Sequence, residues 1–67
     1  MIELTINGTQ RQFAGPLNVT ELVANLDLLG KRIAVERNGD IVPRSQFSDT
    51  PLASGDRLEI VVAVGGG

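Results

Sequence analysis

The residues that most suggest chemistry are the last three, Gly65-Gly66-Gly67. A chain end without side chains adds nothing to a hydrophobic core, and glycine loses much conformational entropy when it is ordered. Such an end suits a carboxylate that must pass through a narrow slot into the active site of another protein. Taken alone, three glycines fit a frayed terminus or an expression scar better. The elements that precede them therefore decide the interpretation.

The types of residue that usually carry catalysis are scarce. The sequence has no histidine and no cysteine, so the usual general base near neutral pH and a thiolate nucleophile or metal ligand are missing. The aspartates lie in or beside predicted turns and caps, where short carboxylates accept local hydrogen bonds. They are Asp27, Asp40, Asp49 and Asp56. We expect a protein that is not an enzyme and that binds no cofactor or metal of its own.

Length and charge limit the remaining classes. A chain of 67 residues makes one small domain, and a chain of this size buries only about 60% of its unfolded surface. The net charge of −2 and the pI of about 4.8 argue against a nucleic-acid partner. No apolar run approaches the length of a membrane helix, and Met1-Ile2-Glu3-Leu4 does not resemble a signal peptide. We expect a cytoplasmic protein that is monomeric on its own.

The first half of the sequence predicts a hairpin and one helix. Ile2, Leu4 and Ile6 alternate with polar residues, Asn7-Gly8 is a hairpin signal, and a second strand covers residues 10–13. The period then becomes helical. The apolar stripe consists of Val19, Leu22, Val23, Leu26 and Leu29.

Both ends of this helix carry recognisable signals. Asn18 and Glu21 form a capping-box pair, with Leu17 and Leu22 at the two staple positions around it. Gly30 is the predicted left-handed stop, and Lys31 and Arg32 follow near the negative end of the helix dipole.

The second half predicts three more strands. One strand covers residues 33–37, the Asn38-Gly39 turn leads into Ile41 and Val42, and Pro43 ends that strand. Residues 44–53 are irregular, with one short helical turn, and a turn at residues 54–56 precedes the last strand, residues 57–64. The order β-β-α-β-β-β predicts an α+β domain of the β-grasp (ubiquitin-like) type. We expect a mixed sheet of four to five strands over residues 1–64, with residues 65–67 as a flexible tail.

The last strand leads directly into the glycines. One of its faces, Leu58, Ile60, Val62 and Val64, is predicted to pack against the helix. The other face becomes apolar towards the tail, at Val61 and Ala63, and these residues are candidates for a docking patch. Three extended glycines reach roughly 10 Å, enough to deliver a carboxylate into a cleft while the domain stays outside.

Several segments together resemble the ThiS family of sulfur carrier proteins. They are Leu17-Asn18-Val19-Thr20-Glu21-Leu22, the stretch from Ile33 to Ser45 with Asn38-Gly39-Asp40-Ile41-Val42-Pro43-Arg44, the stretch from Ser54 to Ile60, and Val64-Gly65-Gly66-Gly67. The resemblance extends over residues 1–67 without large gaps. It departs from the family at Asn18, where threonine is frequent, and at Phe47, the residue nearest to a frequent tryptophan.

The resemblance implies a specific reaction at the chain end. An adenylyltransferase of the ubiquitin-activating type would use ATP to adenylate the Gly67 carboxylate. Sulfur from a persulfide, supplied by a desulfurase acting on cysteine, would then give a thiocarboxylate. Thiazole synthase would take that sulfur to build the thiazole ring of thiamine. Gly65 and Gly66 would thread through the partner, and Val61, Ala63, Val64 and Arg44 are possible docking residues, although Arg44 also suits a solvated loop.

Other functions of the same fold remain open at this point. The chain could be the small subunit of molybdopterin synthase, or a carrier for cysteine synthesis or tRNA thiolation. It could also be a ubiquitin-like modifier of lysine side chains, or a binding module in which the glycines are incidental.

Overall fold

The computed structural model describes residues 1–63, which form a five-stranded mixed sheet with one α-helix packed against one face. The strands are β1 (Ile2–Ile6), β2 (Thr9–Phe13), β3 (Ile33–Arg37), β4 (Asp40–Val42) and β5 (Arg57–Val62). The helix α1 is Val19–Asn25, and a 3-10 turn covers Arg44–Gln46. The sheet order is β2-β1-β5-β3-β4, with β1 and β5 parallel and the other neighbours antiparallel. The predicted β-grasp architecture is confirmed.

Both predicted hairpins are present, and their turns have the backbone that the Asn-Gly signal requires. Asn7 and Gly8 have φ values of 50° and 83°, and Asn38 and Gly39 have φ values of 51° and 90°. Positive φ at both central residues matches the right-handed twist of the flanking strands, and asparagine and glycine tolerate it best. These two turns fix the register of β1 with β2 and of β3 with β4.

The start of α1 is as the sequence predicts. The Glu21 amide donates to Oδ1 of Asn18 at 2.8 Å, and the Asn18 amide donates to Oε1 of Glu21 at 2.8 Å. This reciprocal pair satisfies two of the amide donors that a helix start leaves without partners. Leu17 and Leu22, the predicted staple residues, are both buried.

The end of α1 differs from the prediction, because the helix stops at Asn25 rather than near Gly30. Asp27 adopts φ 60° and takes the left-handed position that was assigned to Gly30. Its amide donates to Ala24 and the Leu28 amide donates to Val23, both at 3.0 Å, which is the Schellman pattern. Gly30, with φ 82°, belongs to the next turn, no basic residue lies in the last helical turn, and Leu29 is exposed.

The hydrophobic core lies between α1 and the central strands. Its most completely buried residues are Leu4, Val19, Leu22, Val35 and Leu58. The loop between β4 and β5 closes one side, because Phe47 and Leu52 are buried and the Leu52 amide donates to the Leu17 carbonyl at 2.9 Å. Among residues 1–63, the only α-helix has seven residues, far short of a membrane span.

The last strand confirms the predicted burial of Leu58 and Ile60 and corrects that of Val62. Leu58 and Ile60 are buried under the helix, but Val62 is 41% exposed. The short helix explains the difference, because α1 ends before it reaches the level of Val62. The strand β5 ends at Val62, and the predicted continuation to Val64 falls outside the described residues.

Candidate functional site

The strand β5 lies in the centre of the sheet and leads directly to the glycine end of the chain. On one side it pairs with β1 through Thr5↔Arg57 and Ile6↔Leu58, and on the other it pairs with β3 along its whole length. After β5 ends, the Ala63 amide donates to the Arg32 carbonyl at 2.8 Å. The last described residue is therefore held against the sheet.

The face of the sheet opposite α1 carries an exposed surface, which we call the open face. It includes the exposed residues of neighbouring strands, Ala34, Glu36, Ile41, Arg57, Glu59 and Val61, and Ala63 just after β5. Ile41 is 73% exposed and Val61 is 61% exposed, whereas large aliphatic side chains are usually buried. The predicted exposure of Val61 and Ala63 is confirmed.

The open face changes in character along β5. Val61 lies opposite Ala34, next to the point where the chain leaves the sheet, so that end is apolar. Further back, Glu59 lies opposite Glu36, and two like charges facing each other across a ladder are mutually unfavourable. Arg57 lines the same shallow hollow as these two glutamates. Among residues 1–63, the ion pair is Arg37 with Asp56, so neither glutamate has a bonded cation.

Arg44, the remaining docking candidate within the described residues, bonds to the same two-residue segment as Ala63, namely Lys31-Arg32. Its Nη2 donates to the Lys31 carbonyl at 2.9 Å, while the next carbonyl, that of Arg32, accepts from the Ala63 amide. The side chain is exposed and borders a small hollow that contains Ile33 and Phe47. The structure thus places Arg44 near the exit of the chain and gives it a structural contact there. The other predicted site residues, Val64, Gly65, Gly66 and Gly67, lie outside the described residues.

The first residue of β5 is preceded by a buried carboxylate whose role the sequence did not reveal. Asp56 accepts hydrogen bonds from Nε of Arg37 (2.9 Å), Nδ2 of Asn38 (3.1 Å) and the Ala53 amide (2.9 Å). Burial pushes the pKa of Asp56 upward, but the bonds from Ala53, Asn38 and Arg37 outweigh it and hold the pKa below its ordinary value. Only the local bond to Ala53 corresponds to the turn role that the sequence predicts for the aspartates.

A second contact that the sequence did not reveal involves Asn7. Its Nδ2 donates to the Ile60 carbonyl at 3.0 Å, and the Ile60 amide donates to its Oδ1 at 2.8 Å. The carboxamide therefore continues the β1–β5 ladder by one step after the main chain of β1 has turned away. The Asn-Gly signal predicts the turn, but nothing in the sequence identifies the strand that the asparagine side chain contacts.

Among residues 1–63, these contacts fix the position of β5 in the sheet. Within residues 1–63, no group of three acidic, histidine or cysteine residues is placed to hold a metal ion. The charged and polar groups around Asp56 bond to one another within the domain. The features open to a partner are the apolar end of the open face and the main chain that leads to the glycines.

Comparisons with known proteins agree with this description. The sequence model of the ThiS family matches residues 4–67. The crystal structure of the thiamine biosynthesis protein ThiS from Geobacter metallireducens superimposes with a TM-score of 0.83 at 36% identity, covering 98% of this chain and all of that one. The sulfur carrier protein ThiS of Bacillus subtilis is 37% identical over 49 residues, which are 73% of this chain and 74% of that protein.

A relative of a different kind is a thiazole synthase of Paramagnetospirillum magneticum. It is 41% identical over 66 residues, which are 98% of this chain but only 20% of that protein. The chain therefore spans about a fifth of the thiazole synthase that it matches. The family match, the fold and the placement of the chain end lead to one conclusion: the chain belongs to the ThiS family of sulfur carriers in thiamine biosynthesis.

Proposed function

We propose that this chain carries sulfur on the carboxylate of Gly67 and has no catalytic role of its own. The observation that carries the proposal is the family match, which includes the glycine end. The central strand of the domain, β5, leads to those glycines. A protein of this design needs neither an acid nor a base, because its partners supply the chemistry. Gly65 and Gly66 would allow the chain end to enter a slot too narrow for side chains.

The proposed reaction replaces one oxygen of the Gly67 carboxylate with sulfur. An adenylyltransferase of the ubiquitin-activating type uses ATP to form the acyl adenylate and releases pyrophosphate. A persulfide supplied by a desulfurase displaces AMP, and a thiol then cleaves the S–S bond and leaves the thiocarboxylate. We place this ATP-dependent chemistry in the cytoplasm. The mixed anhydride is needed because a carboxylate is a poor electrophile.

Thiazole synthase is the proposed acceptor of the sulfur. The Paramagnetospirillum magneticum thiazole synthase supports it, since one protein of that name contains a region 41% identical to this chain. Covalent attachment keeps the carrier close to the acceptor and raises its effective concentration. In this chain the same pairing would be formed by docking, with the apolar end of the open face, Val61 and Ala63, and Arg44 and Val64 as the contact residues.

The central experiment is the intact mass of the chain after incubation with ATP, the activating enzyme, a desulfurase and cysteine. We expect a gain equal to the exchange of one oxygen for sulfur, located on Gly67 by fragmentation. A chain extended by one alanine after Gly67 is the matched control, and its Gly67 should remain unmodified. An unchanged native chain, with an activating enzyme shown to be active on another carrier, would refute the proposal.

The docking part of the proposal is tested by Ala63→Asp. The exposed side chain makes no core contact, so folding should be unchanged, whereas a charge in an apolar contact should weaken binding to thiazole synthase about tenfold. Ala24→Asp, an exposed alanine on α1, is the matched control and should leave the affinity unchanged. Equal affinity of the Ala63→Asp chain and the native chain in a titration would exclude this surface.

A further inference from the structure

Within residues 1–63, one edge of β5 has no strand beside it at the end nearest the tail. Arg57 of β5 and Ala63, the residue just after it, direct their main-chain groups to the side of β3, as shown by their bonds to Asn38 and Arg32, which flank β3. The alternate residues face β1, since the Leu58 carbonyl accepts from the Asn7 amide and Ile60 bonds to the Asn7 carboxamide. Val62 is the next residue in this alternation.

The strand β1 ends before it reaches Val62. Its pairing with β5 covers Thr5 and Ile6, and the Asn7 side chain adds one further step at Ile60. Within residues 1–63, the amide and carbonyl of Val62 therefore face a side of the sheet where no strand lies. An unpaired strand edge is a template for an added extended chain.

A groove borders the same edge. It has a volume of about 350 Å³, and its apolar lining consists of Ile6, Leu26, Leu28, Ile60 and Val62. The groove exists because α1 ends at Asn25 and the Schellman turn carries the chain away before the helix has covered the end of β5. Val62 is 41% exposed on this side, and Leu26 and Leu28 are half-buried.

The charge lining the groove within residues 1–63 is positive. Among the described residues, Arg11 is the only charged residue that lines it, beside the neutral residues Asn7 and Thr9. The groove thus combines an open main-chain edge, an apolar floor and one cation. An extended peptide with an apolar side chain and a nearby carboxylate complements all three.

We propose that the acceptor of the sulfur, thiazole synthase, lays such an extended segment along the Val62 edge, as an added strand next to β5. The inference rests on the proposed function for the identity of the acceptor. Its location is argued from the distance along the chain, because Val62 is five residues before Gly67 and a segment bound there stays close in sequence to the reacting carboxylate. The added strand lies beside the edge of β5, whereas the open face is the surface of the sheet opposite α1. One partner can therefore make both contacts at the same time.

The test uses the full 67-residue chain, prepared by chemical synthesis so that one amide can be altered. N-methylation of Val62 removes the donor on the free edge and blocks a neighbouring strand, while every hydrogen bond described within the chain is kept. We expect the melting temperature to be unchanged and the affinity for thiazole synthase to fall at least about tenfold. N-methylation of Ala63, whose amide bonds to Arg32, should instead lower the melting temperature, by about 5 °C.

Hydrogen exchange of the unmodified chain gives a second readout that needs no variant. The Val62 amide should exchange freely in the free chain and at least about tenfold more slowly in the complex. Protection of Val62 in the free chain would show that the tail or a second copy already occupies the edge, and it would overturn the proposal. Unchanged exchange in a complex that does form would overturn it as well.

The charge of the groove is tested by Arg11→Glu, which should weaken binding to thiazole synthase about fivefold. Lys31→Glu makes the same charge change at an exposed residue outside the groove and should have no effect. Equal weakening by both variants would refute the predicted carboxylate contact. If the native chain does not bind thiazole synthase at all, the proposed function itself fails, an outcome distinct from binding that is insensitive to Val62 and Arg11.

Discussion

The two ends of β5 are held in different ways. At its start, the Arg57 amide donates to Oδ1 of Asn38, the Asn38 amide donates to the Arg57 carbonyl, and Asp56 gathers three further donors. At its end, Val62 lies opposite Ile33 of β3, and within residues 1–63 the last contact on the other side is the Asn7 carboxamide at Ile60. The strand is thus anchored on both sides away from the tail and on one side next to it.

The two Asn-Gly dipeptides also differ in which end of β5 their asparagine side chains contact. Asn7-Gly8 and Asn38-Gly39 form equivalent turns, yet the side chain of Asn7 contacts the end of β5 and the side chain of Asn38 contacts its start. Each asparagine therefore has a local role in the turn and a distant role on the central strand. The distant roles are what make the two ends of β5 unequal.

The largest expected effect comes from removing the anchor at the start of β5. Asp56→Ala leaves Arg37, Asn38 and the Ala53 amide without their acceptor, and we expect a loss of about 3 kcal/mol in the free energy of unfolding. Urea denaturation measures it. Asp49→Ala, at an exposed position, should change stability by less than about 0.5 kcal/mol. If the two variants were equally stable, the Asp56 network would not be the anchor.

A smaller effect is expected at the other end of the strand. Asn7→Gly keeps the positive φ of the turn but removes both bonds to Ile60, and it should lower stability by about 1 to 2 kcal/mol. The Ile60 amide should also exchange with solvent faster. Asn38→Gly is the matched control, because it makes the same change in the other hairpin and should leave Ile60 exchange dependent on global unfolding alone. Faster local exchange of Ile60 in both variants would erase the proposed difference between the ends.

The smallest effect is expected from mild acid. The pKa of Asp56 is lower in the folded chain than in the unfolded chain, so its contribution to stability is complete above the unfolded value of about 4. That contribution is lost as the pH falls from there through the lower, folded pKa. The melting temperature is measured between pH 5 and pH 2 at steps of about half a pH unit. It should fall less steeply with decreasing pH in Asp56→Asn than in the native chain. An identical slope in both chains would mean that Asp56 is not the group responsible.

The sequence was informative wherever a local rule determines the structure. Asn7-Gly8 and Asn38-Gly39 predicted both hairpins, Asn18 with Glu21 predicted the helix start, and Pro43 marked the end of β4. In each case the few residues that form the feature are adjacent in the chain. The glycine end and its family resemblance pointed to the carrier function in the same direct way.

The sequence was misleading where a weaker local signal prevailed over a stronger one. Gly30 is the more usual left-handed stop, but Asp27 takes that position, so Leu26 and Leu28 line the groove and Leu29 becomes exposed. Tertiary packing decides between such stops. The contacts of Asn7 with Ile60, 53 residues apart, and of Asp56 with Arg37 could not be predicted because they depend on the order of strands in the sheet.

The parallel pairing of β1 with β5 has a mechanical consequence. The chain enters the domain at the start of β1 and leaves it at the end of β5, so a partner that pulls on the tail while the start of the chain is held loads the two strands in opposite directions. The ladder bonds between them then bear the force together instead of opening one after another. The parallel β1–β5 pair therefore resists a pull on the end of β5 in shear.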